Sequence, residues 1–190
     1  LEFIPVSLHT GAKVQADKAG LTEPCVVERI GRALDEFGVL IFPEIGIDDE
    51  QFLHLTAALG EKHENKVTDD GSGPSQKGIF RIALDKDDLT QREFILGNDY
   101  WHMDGMSYAV PVKATLLKCE RAPSIGGDTG FANLHAAYAA LPEAKKRSLA
   151  NLKVGHCLSA VLSRLYQDPG EEDYARWDAI FPRLEHPLVW

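Results

Sequence analysis

One stretch holds the residues best suited to chemistry: Asn98-Asp99-Tyr100-Trp101-His102-Met103-Asp104. An imidazole and a carboxylate two residues apart point to one face of an extended strand, because strand side chains alternate with period two. Both can then reach a single ion. Two such ligands and one more histidine form the two-His-one-carboxylate face that holds non-haem Fe(II) and leaves positions open for oxygen and substrate. A solvated His and Asp on a half-buried strand is the plainer reading of the pair alone, so the surrounding sequence has to decide.

The elements that must position this stretch can be read along the chain. Phe3-Ile4-Pro5-Val6 within 1–8 reads as a strand, with Pro5 favouring an edge. Gly11 to Gly20 reads as a loop or frayed turn. Pro24 opens a helix carrying Val26, Val27, Ile30, Ala33, Leu34 and Phe37 at helical spacing, and Gly38 ends it. Val39-Leu40-Ile41-Phe42 is a short apolar run, expected as a buried strand stopped by Pro43. Asp48 with Gln51 makes a capping-box start for a second helix, which closes at Gly60 and carries His54 on its surface. Residues 61–78 hold charges, two glycines next to Ser72 and Pro74 and almost nothing apolar, either a plain surface loop or one long enough to act as a lid. Residues 79–84 form the next strand.

Beyond the central stretch, Ala114 to Arg121 alternates as a sheet strand, with Cys119 as a buried thiol. Gly126-Gly127 supplies the positive φ of a sharp turn, after which Asp128-Thr129-Gly130-Phe131 is expected to re-enter a strand. The glycine pair lacks the framework of a phosphate-binding loop. Leu134 to Leu141 and Pro142 to Leu149 read as helical, Leu152 to Leu158 as a strand with His156, and Glu171 to Ile180 as an amphipathic helix. Leu184 to Trp190 begins a further element.

The bulk numbers narrow the classes of function. A length of 190 residues suits one domain with a real core. Hydrophobic residues at 44% and charged residues at 26% are ordinary for a globular chain. A net charge of −9 argues against a nucleic-acid surface and against a polybasic membrane patch. No apolar run reaches the roughly 18 residues of a membrane-spanning helix. The three cysteines are widely spaced with no C-x-x-C pair, which fits a reducing cytoplasm.

Four blocks together resemble the TauD/TfdA family of Fe(II)- and 2-oxoglutarate-dependent dioxygenases, over about Phe3 to Trp190. Phe37 to Phe42 followed by Asp48 to Phe52 and Leu59-Gly60-Glu61 is similar to the family's N-terminal segment. Asn98-x-x-Trp101-His102-x-Asp104 resembles its metal motif. Pro123 to Thr129, ending Gly126-Gly127-Asp128-Thr129, resembles its cofactor turn. His186-Pro187-Leu188-Val189 resembles the segment that opens its C-terminal part.

The resemblance implies a mainly β fold with flanking helices: a double-stranded β-helix, or jelly-roll, as a single domain over 1–190 that is incomplete at its C-terminus. It implies that His102 and Asp104 bind Fe(II) and that Thr129 hydrogen-bonds a carboxylate of the co-substrate 2-oxoglutarate. Asn98 and His63 become substrate-side candidates. The implied reaction hydroxylates a C–H bond of a small organic substrate, by default an anion, consuming O2 and releasing succinate and CO2. The expected setting is a cytoplasmic enzyme without nucleic-acid or membrane partners; self-association into a homo-oligomer is compatible with it.

One departure stands out. The family's distal His ligand and its 2-oxoglutarate-binding Arg come well after the His-Pro-Leu-Val segment, and this chain ends at Trp190; by that pattern His186 is too early to be the ligand. The 190 residues are therefore expected to be part of a longer chain. Two rivals stand beside the enzyme: a binding module or pseudoenzyme on the same fold without a finished metal site, and a cupin-like metalloprotein that uses H-x-D without 2-oxoglutarate.

Overall fold

The computed structural model describes residues 1–63, 75–76, 78–82 and 100–190. Asn98 and most of the expected lid fall outside them. The chain divides into two compact units, Leu1–Lys62 with Leu116–Pro142, and His63–Thr115 with Glu143–Trp190.

The first unit is built on a three-stranded sheet of order β1-β2-β3: β1 (Glu2–Pro5), β2 (Ala12–Gln15) and β3 (Leu40–Ile41). Strands β1 and β2 pair antiparallel, with Phe3 opposite Val14; β2 and β3 pair parallel, with Ala12 opposite Leu40. Pro5 lies on the edge strand, as expected of a residue without an N–H.

The central strand β2 occupies part of what reads in sequence as a loop. Ala12 and Val14 are buried while Lys13 and Gln15 are exposed, and this period-two alternation is the local signal for it. Strand β3 is shorter and more open than expected, with Ile41 41% exposed. Its four-residue apolar run reflects contacts on one face only.

Helix α1 (Pro24–Phe37) starts with Pro24 in the first turn, where a missing N–H costs nothing. It stops at Gly38, whose φ of 70° places it in the left-handed region and lets its N–H reach the Leu34 carbonyl at 2.8 Å. Helix α2 (Asp49–Leu59) has the expected reciprocal cap. The Gln51 N–H donates to Asp48 Oδ1 at 2.8 Å, and the Asp48 N–H donates to Gln51 Oε1 at 3.1 Å. Leu21, Ile30 and Leu55 form the buried cluster between these elements, with Leu40, Phe42 and Leu116 packed on it.

Residues 114–121 do not form a ladder: they run without regular structure, Leu117 is 70% exposed, and Cys119 is exposed rather than a buried thiol. Alternation licenses a strand only where another strand supplies hydrogen bonds, and no described residue pairs here. Asp128 to Phe131 is likewise irregular and exposed instead of re-entering a strand. Helix α3 (Leu134–Ala139) follows, capped by Asn133 Oδ1 accepting from the Ala136 N–H at 2.9 Å.

In the second unit β4 (Ser75–Gln76) and β5 (Ile79–Phe80) make a short antiparallel pair. Helix α4 (Glu143–Leu149) precedes β6 (Lys153–His156), a short helix α5 (Ser159–Leu162), α6 (Glu171–Ile180) and β7 (Leu184–Pro187). Strands β6 and β7 pair antiparallel, Val154 opposite His186 and His156 opposite Leu184. Trp177 on α6 is 1% exposed and packs edge-on between Tyr166 and Tyr174, at ring separations of 5.0 and 5.3 Å. The described sheets are small and separate, and a closed jelly-roll is not formed by the described residues alone.

Candidate active site

The central motif lies in irregular chain that runs into a turn over 104–107, not on a strand. His102 and Asp104 still converge. Nε2 of His102 stands 3.4 Å from Oδ1 of Asp104, and the two side chains are 48% and 50% exposed. Strand alternation is one way to bring residues i and i+2 to one side; here the bend of the turn does it.

The tautomer of His102 follows from its other nitrogen. Nδ1 lies 2.7 Å from the carbonyl oxygen of Tyr100. A carbonyl can only accept, so Nδ1 carries the proton and donates. In the neutral ring Nε2 is then a bare lone pair facing a carboxylate oxygen. Two electron-rich atoms held together want a cation between them. Donors each about 2.1 Å from one ion, at right angles to tetrahedral angles, stand about 3.0–3.4 Å apart. The observed separation fits that range. The Nδ1–H to carbonyl bond is also the outer contact that orients a ligating histidine.

The turn behind Asp104 is tightly specified. Gly105 has φ of 72°, and a Cβ there would meet Val112 Cγ2 at 2.7 Å and its backbone N at 3.1 Å. Only glycine satisfies both the left-handed backbone and the close approach. The Tyr108 N–H donates to the Gly105 carbonyl at 3.2 Å and closes the turn. Met106 is buried, and so is His186 of β7, whose Nε2 lies 3.1 Å from the carbonyl oxygens of both Met106 and Tyr108.

Aromatic rings line the ground beside the turn. The His63 ring stands 3.8 Å from that of Tyr108, and Phe181 meets Tyr108 edge-on at 6.2 Å. Burial pushes the Tyr108 hydroxyl above its usual pKa. The guanidinium of Arg164 sits 5.8 Å over the ring of Tyr100, the residue whose carbonyl holds His102. On the hairpin, burial first and the neighbouring His186 second lower the pKa of His156.

The sequence-predicted residues therefore fall into three groups. His102, Asp104 and His63 lie in one unit, with His63 joined to the motif through Tyr108. Thr129 belongs to the other unit, exposed just after Gly126 and Gly127 with φ of 70° and 77°. Asn98 is outside the described residues. Sequence reasoning missed the contacts of Gly105 and His186; a glycine directly after His-x-Asp was the available hint for the first, and the His-Pro-Leu-Val segment marked the second without its partners.

Among the described residues no group of three or more His, Cys, Asp or Glu side chains could hold a metal. No described helix is long and apolar enough to cross a membrane. The first unit carries a shallow groove of about 430 Å³ lined by Lys13, Asp17, Lys18 and Glu44, whose charges offset one another; no motif residue lines it.

Comparison with known proteins gives the same direction. Residues 3–190 match the model of the taurine catabolism dioxygenase TauD, TfdA family. The (S)-phenoxypropionate/alpha-ketoglutarate-dioxygenase of Sphingobium herbicidovorans is 32% identical over 130 residues, covering 68% of this chain and 44% of that protein. The alpha-ketoglutarate-dependent 2,4-dichlorophenoxyacetate dioxygenase of a Burkholderia species is 26% identical over 180 residues, covering 90% of this chain and 59% of that one. The chain thus spans about half the length of the curated relatives it matches. A crystal structure of AAD-2 in complex with Mn(II) and N-oxalylglycine superposes over the whole chain and 68% of its own, with a TM-score of 0.79 at 24% identity. That likeness carries the fold and agrees with a mainly β jelly-roll architecture.

Proposed function

The chain belongs to the taurine catabolism dioxygenase TauD, TfdA family, and from that premise we propose an Fe(II)- and 2-oxoglutarate-dependent dioxygenase that hydroxylates a C–H bond of a small anionic organic substrate. The observation that carries the proposal is the convergence of His102 Nε2 and Asp104 Oδ1 at 3.4 Å, with Nδ1 committed to a carbonyl. Residues 1–190 are taken as one domain of this family.

His102 and Asp104 would hold the iron. When bound, iron and 2-oxoglutarate supply the oxidising power, with O2 consumed and succinate and CO2 released. The chain's own residues position. Tyr100 keeps the imidazole turned with its lone pair outward, and Gly105 lets the backbone bend sharply enough to bring Asp104 beside it. The half-exposed side chains leave room for further ligands. The hydroxyl of Thr129 is assigned to a carboxylate of 2-oxoglutarate, which it can reach as a donor. His63 and Asn98 are assigned to the substrate side. The anionic substrate class is supported by the names of the relatives, phenoxypropionate and 2,4-dichlorophenoxyacetate, both carboxylates. A cytoplasmic setting accords with three free thiols at Cys25, Cys119 and Cys157.

A second reading, a binding module or pseudoenzyme on the same fold, is favoured by one observation: the described residues supply two metal donors and no third. Adding Fe(II) and 2-oxoglutarate without oxygen separates the two. The enzyme gives a visible charge-transfer band of the chelated metal that disappears in His102→Ala. Absence of the band in the wild type moves the pseudoenzyme to first place.

A further inference from the structure

We propose that His186 is a positioning residue for the metal-binding pair, acting through the backbone of the turn that follows Asp104; the inference rests on the dioxygenase reading above. Among the described residues His186 is the buried polar side chain, 8% exposed. Its Nε2 lies 3.1 Å from the carbonyl oxygen of Met106 and 3.1 Å from that of Tyr108. Both oxygens can only accept, so Nε2 carries a proton and shares it between them. One of these carbonyls lies inside, and the other at the end of, the closed turn in which the Tyr108 N–H binds the Gly105 carbonyl. Asp104 is two residues before Met106. Fixing the Met106 carbonyl therefore fixes the direction from which the Asp104 carboxylate meets His102.

The platform under this contact is rigid. Four residue pairs join β6 and β7, from Lys153–Pro187 to His156–Leu184. The His186 ring is packed by its neighbours, with Trp190 stacked at 6.0 Å and 11° and His156 tilted at 5.5 Å. The hairpin closes through its backbone and has no need of an imidazole proton. What needs that proton is the turn, which otherwise leaves two carbonyls beside a buried ring without a donor from it. Outer contacts of this kind fix the geometry of ligands without touching the ion.

His186→Gln and His186→Asn test the proposal in the whole protein. The Gln amide N–H reaches about as far as Nε2, whereas the Asn amide reaches only as far as Nδ1. Two quantities are read: hydrogen exchange of the Gly105–Tyr108 turn without metal, and affinity for Mn(II) alone. The Asn variant is expected to exchange the turn about tenfold faster. It is expected to bind Mn(II) about 10–100-fold more weakly, while the Gln variant stays within about threefold of wild type. Three results overturn the proposal: Asn matching wild type in either quantity, Gln as impaired as Asn, or loss spread evenly over the β6–β7 hairpin. A wild type that binds no Mn(II) removes the metal-centre reading and this proposal with it. A wild type that binds while Asn binds equally well removes this proposal alone.

Discussion

The two glycine turns that carry the family's motifs are held in different ways. The turn after Asp104 is tied from several sides: the Tyr108 N–H closes it, Val112 presses on Gly105, and His186 reaches across from β7 to the Met106 and Tyr108 carbonyls. The turn before Thr129 is held by local geometry. A Cβ on Gly127 would meet Pro123 Cγ at 2.6 Å, but one on Gly126 would meet nothing within 4 Å, and residues 121–132 are exposed throughout. The turn after Asp104 is therefore built into its unit by long-range contacts, while the turn before Thr129 is, among the described residues, shaped by local turn chemistry.

A pair of matched substitutions breaks or sharpens this contrast. Gly105→Ala and Gly126→Ala both place a Cβ on a left-handed backbone, with φ of 72° and 70°, at a strain of about 1–2 kcal/mol each. Only the first also collides with Val112. Gly105→Ala is expected to weaken Mn(II) binding by about 100-fold, because the turn must open and carry Asp104 with it. Gly126→Ala is expected to lower stability modestly and leave Mn(II) affinity alone. Metal titrations of the two variants check this, and equal affinities would show that the Asp104 turn is no more constrained than the other.

The contrast also explains what could be read from sequence. Helices α1 and α2 were legible because their signals are local: Pro24 and Gly38 bracket one, and Asp48 with Gln51 starts the other. The Gly126-Gly127 turn was legible for the same reason. Residues 114–121 were not. Their alternation is genuine, but a ladder depends on a partner far away in sequence, and side-chain period carries no information about whether one is present. His102 and Asp104 do converge, but through a turn rather than the expected strand. His186 was marked by the His-Pro-Leu-Val segment, but its contacts were not legible, because they lie at Met106 and Tyr108, 80 and 78 residues earlier.

Thr129→Ala probes the more weakly held turn. If its hydroxyl donates to a 2-oxoglutarate carboxylate, one charge-assisted hydrogen bond is lost, and KM for 2-oxoglutarate should rise about tenfold. Mn(II) affinity in the absence of co-substrate should stay at the wild-type value if Thr129 acts on the co-substrate and not on the metal. A fall in metal affinity equal to that of Gly105→Ala would erase the distinction between the two turns. An unchanged KM would return Thr129 to an ordinary surface residue.

The smallest expected effect lies in the hairpin that anchors the firmer turn. His156 has its pKa lowered, by burial first and by His186 beside it second. The unfolded chain keeps the ordinary value near 6.5. Above that value His156 is neutral in both states and its contribution is fully present. As pH falls below it, the unfolded state binds the proton first, so stability declines until pH passes the lowered folded value. Thermal melts between about pH 7.5 and 5 should therefore show a falling Tm with a component that His156→Gln removes. If His156→Gln leaves the slope untouched, the acid sensitivity lies elsewhere, and the β6–β7 hairpin holds its turn without any cost for keeping His156 uncharged.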